Sequence, residues 1–227
     1  DSLGFFSAIT GGSFENMSVF ALNITPYITA SIIMQLLTIA IPKLEELHRD
    51  GEEGRKKIIS ITRYLTVVLS LVEAIAMVIG FGRQGYLLEF NAINVIMVIA
   101  ALTAGSTVLM WIGERITEKG IGNGISIVLT INIISRIPSD LTSLFNQFVK
   151  GQEIANQVLN AAIIIAIILG VIVLVVLLQG GIRKIPVQYS RKVQGRKQVG
   201  GQMTHIPLKI NTAGVIPIIF AQSLMQF

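Results

Sequence analysis

Cysteine is absent from the 227-residue chain, which excludes disulfides and thiolate metal sites and leaves the redox compartment open. Histidine occurs only twice, and His48 and His205 stand alone in loops with no metal-ligand spacing around them, so no metal and no cofactor is expected. Charge is scarce at 14% of residues, and acids are missing altogether from residues 182–210. Long apolar runs fill the space: 52% of residues are hydrophobic and mean hydropathy is +0.70. No soluble core of this size could bury them, so the chain reads as a polytopic membrane protein.

Residues 23–42, NITPYITASIIMQLLTIAIP, form an uncharged run that as a helix covers about 30 Å, the thickness of a bilayer's hydrocarbon core. At 100° per residue Ile24, Ile28, Ser31, Gln35 and Thr38 fall within an arc of roughly 80°. That face starts apolar and turns polar, and a lipid-facing helix has no use for it. Part of the run recurs near the C-terminus. Aligning residues 26–35 with 217–226 matches Pro26 with Pro217, Ile28 with Ile219, Ala30 with Ala221, Met34 with Met225 and Gln35 with Gln226, and pairs Ile33 with Leu224. Two proline-bearing apolar helices can also coincide by composition.

Residues 1–22 are Gly-rich, half apolar and too short to span, which predicts a re-entrant or interfacial element. The polar loop after residue 42 contains Gly51 and Gly54, expected to break any long helix. Further spans are expected near 58–80, 92–112, 125–137 and 158–178, with a last one starting near 212. The run from 125 is short, and GIGNG before it and Pro138 after it predict its ends, so a tilted or shielded helix fits. No cleavable signal peptide is visible, and the chain stops inside an apolar helix, so it reads as a piece of a longer protein.

Counting Lys and Arg by alternate loops fixes the orientation. One side holds 15, including Arg63, and the other only Arg83, Arg136 and Lys150. The first side is therefore cytoplasmic. The two proline-bearing helices then run in opposite directions, the arrangement of an inverted repeat enclosing a midplane path.

In the loop 182–210, Ile185, Val187, Tyr189, Arg191 and Val193 alternate as in a strand, QGRKQVGG supplies turn residues, and 203–210 returns as a second strand. Its seven basic residues suit ribosomal RNA phosphates or an acidic partner, with positive-inside charge as the plainer explanation.

Several features carry no function. Glu73 lies inside a span, where an acid is by default functional, and a hydrogen bond to a neighbouring helix is its expected state. GIGNG lacks the Lys-Ser/Thr of a P-loop and the strand of a dinucleotide site. Glu114 and Glu118 are expected to be interfacial caps. With no catalytic constellation, the chain reads as no enzyme.

Four stretches, ITPYITASIIMQLL (24–37), GEEGRKKI (51–58) with Thr62, Arg63 and Tyr64, MWIGERITEKGIGNGIS (110–126) and THIPLKINTAGVIPIIFA (204–221), resemble the SecY family, the central subunit of the bacterial protein-conducting channel. The resemblance implies an all-α polytopic helical bundle, an inverted-repeat channel present in part, with a cytoplasmic β-hairpin-like loop. Of the family's ten spans, this chain would hold the second to the start of the seventh. It implies a plug segment at 1–22, first-half spans at 23–138, an outer loop and span at 139–181, a basic cytoplasmic loop at 182–211 and a gate helix at 212–227.

The resemblance also assigns residues. Ile24, Ile28, Leu129, Ile133 and Ile219 stand at the family's pore ring, with Leu129 where isoleucine is usual. A ring of branched aliphatics dewets the path against ions while an extended peptide pushes it aside. Without the resemblance, ordinary helix packing is the preferred explanation of isoleucines at i and i+4. Gly4, Phe5, Phe6, Gly11 and Gly12 belong to the plug, a short helix. Thr29, Gln35 and Phe227 belong to the lateral gate, where signal sequences intercalate. Arg191, Lys192, Arg196 and Lys197 would dock the ribosome, at its rRNA and the proteins near the exit tunnel, or the SecA ATPase. SecE and SecG, the translocating polypeptide, its signal sequence and the lipid bilayer complete the implied partners. A multi-pass protein of the bacterial plasma membrane follows. The competing classes are a secondary transporter of small solutes, which should converge charged groups at midplane, and a plain structural subunit.

Overall fold

A computed structural model describes residues 8, 11–12, 16–85, 87, 89–151, 153–188, 192–194, 197–199 and 203–226. The chain divides into two compact units, residues 1–141 with 219–227, and residues 142–218. Among the described residues four helices are long and apolar enough to cross a membrane, or five if one bent pair counts as a single span.

In the first unit, α1 (Thr25–Ala40) carries Pro26 in its first turn, where the missing N–H would have had no helical partner. It stops because Pro42 holds Ile41 extended, at φ −107° and ψ 115°. Pro42 then opens α2 (Pro42–Arg49), turned by 102° from α1. Gly51, at φ +77°, separates α2 from α3 (Glu52–Gly82). Gly54 does not break the helix, contrary to expectation. It lies within the first turn of α3, where a methyl group would overlap the Leu47 carbonyl oxygen, so its role is to let α2 fold back on α3.

The buried face of α3 is built from small and hydroxylated residues, Thr62, Thr66, Ser70, Ala74 and Gly82 among them. Such residues let helix backbones approach where lipid removes the hydrophobic drive for association. The hydroxyls are satisfied by their own helix: Thr62 donates to the Ile58 carbonyl at 2.8 Å, Thr66 to Thr62 at 2.7 Å and Ser70 to Val67 at 2.9 Å. This face packs against both α1 and α4 (Ala92–Lys119). Ala21, Leu22, Ala74, Val78 and Leu102 form the apolar core at one end, with Met77, Leu87, Val95, Val98 and Ile99 around it.

Helix α5 (Gly124–Leu144) starts where the Asn123 side chain accepts the N–H groups of Ile125 at 3.0 Å and Ser126 at 3.4 Å. GIGNG is thus a helix start. Pro138 does not end the helix: α5 runs through it and continues as a π-helical turn, Phe145–Val149. Together they form a 26-residue candidate span, and no short helix needs explaining. A backbone with no water to turn to stays helical past one lost N–H, its freed carbonyl being met by local adjustment.

In the second unit, α6 (Ile154–Gly180) is uninterruptedly apolar over residues 161–178 and buries none of its side chains in the unit. A helix apolar all round belongs in a membrane. Its first turns are tied to the π-helical turn by Asn160, whose Nδ2 donates to the Phe148 carbonyl at 3.0 Å. Two antiparallel ribbons follow, β1 (Ile182–Val187) with β4 (Thr204–Lys209) and β2 (Lys192–Gln194) with β3 (Lys197–Val199). The expected hairpin is present, divided into stem and tip. Helix α7 (Ile216–Gln226) closes the described chain, and its Pro217 takes the same second helical position as Pro26 in α1.

Candidate functional site

The site is built at the entry to α1. Asn23 has φ +50°, the left-handed region that only glycine and short polar residues enter at low cost. A side chain here must earn its place by local bonding. Its Oδ1 accepts the Ile24 N–H at 2.8 Å and the Asn132 Nδ2–H of α5 at 3.1 Å, while its carbonyl accepts the Ser106 hydroxyl of α4 at 3.0 Å. Asn23 is 3% exposed and Ser106 1%. One residue outside any helix thereby fixes the start of α1 to two other helices. Sequence reasoning missed this trio. The available signal was an amide on an otherwise apolar helical run, Asn132, and another just before a helix start.

Ile24, next in the chain, is fully buried, with its Cδ1 against Gly113 of α4 and beside Ile125 of α5. Gly113 and Gly124 let α4 and α5 close on each other, since a methyl on Gly124 would overlap the Gly113 carbonyl oxygen. One turn on, Ile28 is half-buried and donates its N–H to the Ile24 carbonyl at 3.1 Å. On α5, Leu129 is half-buried and Ile133, beside Asn132, is 49% exposed. Ile219 on α7 is half-buried. Of the five expected ring positions, the Asn23–Asn132 bond thus joins the helices that carry four. No charged residue stands among them.

The polar stripe of α1 lines a cavity of about 480 Å³. Ser31, Gln35 and Thr38 face Glu45 and His48 of α2 and Thr62 of α3 across it. Thr38 donates to its own helix at the Met34 carbonyl, 2.7 Å away. Of the expected gate residues, Gln35 is exposed on this cavity and Thr29 is buried, its hydroxyl donating to the Thr25 carbonyl at 3.1 Å. Phe227 lies outside the described residues.

Two acids depart from expectation. Glu114 does not merely cap a helix: it accepts Arg63 Nε at 2.9 Å and so joins α4 to α3, whereas Glu118 pairs with Arg115 of its own helix at 3.0 Å. Glu73 is 5% exposed, yet among the described residues neither carboxylate oxygen has a hydrogen-bond partner, in place of the expected bond to a neighbouring helix. Its neighbours on the buried face direct their hydroxyls to their own backbone.

Of the expected plug residues, Gly4, Phe5 and Phe6 lie outside the described part. Gly11 and Gly12 are both left-handed, at φ +65° and +83°. Gly11 sits on α5, where a methyl would come within 3.3 Å of the Asn132 Cα and carbonyl oxygen. Residues 18–25 descend from there in successive turns, with Ala21, Asn23 and Thr25 N–H groups donating to the carbonyls three residues back.

In the basic loop, Arg191 and Arg196 lie outside the described residues, and Lys192 and Lys197 fall in β2 and β3, opposite Val199 and Gln194. The stem has a legible ladder. Ile210 donates to the Gly181 carbonyl at 3.1 Å, so 183↔208, 185↔206 and 187↔204 are the hydrogen-bonded pairs. Pro186 and Pro207 therefore occupy positions whose N–H would point outward, one on each edge. Each removes a donor that another strand would need.

Against known proteins, the SecY family model matches residues 18–227. The chain is 44% identical over 233 residues to "Protein translocase subunit SecY" of Halalkalibacterium halodurans, covering 100% of this chain and 54% of that protein. The same-named protein of Pseudomonas aeruginosa is 43% identical over 225 residues, covering 99% and 50%. Among solved structures, "The structure of a protein conducting channel" aligns with a TM-score of 0.62 at 25% identity over 98% of this chain and 49% of that one. A second, "The plug domain of the SecY protein stablizes the closed state of the translocation channel and maintains a membrane seal", aligns with a TM-score of 0.59 at 25% identity over 91% of this chain and 46% of that one. The chain spans about half the length of the curated relatives it matches.

Proposed function

The chain belongs to the SecY family, and from that premise we propose that it supplies the first-half helices of a channel passing unfolded polypeptide across the bacterial plasma membrane. Hydrophobic segments leave it sideways into lipid. The observation that carries this reading is the joining of α1 and α5 at Asn23 and Asn132, with aliphatic residues at i and i+4 beside the joint and no charge among them. Such a constriction is dry to ions and yields to an extended chain. The protein acts by conducting, and energy comes from bound partners: SecA or the ribosome on the basic loop, with SecE and SecG as membrane partners. Glu73 is an intramembrane acid of the kind a small-solute transporter would use, but its carboxyl oxygens have no hydrogen-bond partner among the described residues, and a lone acid makes a poor solute site.

The test is site-specific crosslinking in the full-length protein. Single cysteines at Ile28 and Ile219 are challenged with a stalled, translocating polypeptide. Crosslinks from both to the same substrate residue establish a shared peptide path; reaction of both with lipid probes alone, and never with the chain, ends the pore assignment.

A further inference from the structure

We propose that Asn23, Ser106 and Asn132 form a polar clasp that holds the aliphatic constriction shut, and that an entering polypeptide opens the path by breaking the Asn132–Asn23 bond. The inference rests on the channel reading above and assigns a positioning role to residues outside the ring.

The clasp has a fixed half and a releasable half. Ser106 bonds the Asn23 backbone carbonyl, independent of the side chain at 23, and both groups are buried. Next to it, a methyl group on Gly105 would overlap the Val19 carbonyl oxygen, so α4 lies hard against the segment entering α1. That contact has no slack. Asn132 instead reaches Asn23 through two side-chain amides, at 3.1 Å and only partly buried. A neutral amide pair of this kind biases an equilibrium and still breaks at low cost.

Position in the chain gives the bond its leverage. Asn23 precedes Ile24 and Asn132 precedes Ile133, so one hydrogen bond sets the spacing of two expected ring residues. The same turn of α5 is the seat of Gly11, whose absent side chain leaves room for the Asn132 backbone. Moving α5 away from α1 would therefore release both the ring and the segment that precedes it. Asparagine at 23 serves both needs: it tolerates φ +50° and offers the acceptor, where glycine would supply the conformation alone.

The complete complex, containing the full-length protein, is reconstituted in planar bilayers, and basal ion leak and polypeptide translocation are both measured. Asn132→Leu keeps the volume and removes the donor; Asn23→Gly keeps the backbone conformation and removes the acceptor. Asn132→Leu should raise the basal leak about fivefold, the population shift expected of one lost hydrogen bond, and Asn23→Gly, which also takes the acceptor from the Ile24 N–H, at least as much, while translocation continues. The double variant should leak no more than the leakier single one, because both remove the same bond. Wild-type leak in both singles, or a double variant whose effect is the product of the two, overturns the clasp. A wild-type complex that moves no polypeptide overturns the channel reading, and the clasp with it.

Discussion

Arg63 on α3 and Glu114 on α4 stand 51 residues apart in sequence and meet at 2.9 Å. Glu114 is the more buried partner, at 15% side-chain exposure, so losing Arg63 strands a carboxylate in a poorly hydrated place. Arg63→Ala should lower stability by about 1–2 kcal/mol, more than an exposed pair would give. Thermal unfolding of the detergent-solubilised full-length protein reads this directly. The double variant Arg63→Ala/Glu114→Gln should recover part of the loss, and a double variant as unstable as the summed singles would show that the pair does not couple.

Glu73→Met should stabilise the protein. The buried carboxyl group has no hydrogen-bond partner among the described residues, and methionine fills the same space without a polar group to desolvate. An increase of about 1 kcal/mol in unfolding free energy is expected. A decrease would reveal a partner that needs the acid.

Gly124→Ala should pry α4 and α5 apart, since its methyl would meet the Gly113 carbonyl oxygen, a backbone atom that cannot rotate away. A loss of about 2 kcal/mol or more is expected. Limited proteolysis should show new cleavage around residues 119–124. Gly170→Ala is the control, because nothing lies near that position, and it should behave as wild type.

Replacing both stem prolines, Pro186→Val with Pro207→Val, restores an outward N–H on each edge of the β1–β4 ribbon. Size-exclusion chromatography of the purified full-length protein should then show concentration-dependent association absent from wild type. An unchanged elution profile at every concentration would mean that the edges are guarded by something other than proline.

How legible this protein was varies with the range of the interaction. The spans were readable because a 20-residue uncharged run has one stable state in a bilayer, and the stem strands because Ile185 and Val187 alternate within a few residues. The reading of Gly54 and Pro138 as breakers failed for a common reason: both residues are costly in an isolated helix, and each is tolerated here by its surroundings, α2 against Gly54 and a membrane-length helix around Pro138. Glu114 looked like a cap because Arg63 is remote in sequence.

By itself, then, the sequence determined that the chain lives in a membrane, which loops carry its positive charge, and which apolar faces repeat, since hydrophobic transfer and local periodicity are properties of short stretches. Only the tertiary structure decided that Asn23 adopts a left-handed turn and meets Ser106 and Asn132, residues 83 and 109 positions away. An amide's partner depends on which helices pack beside it, and no spacing rule along the chain encodes that.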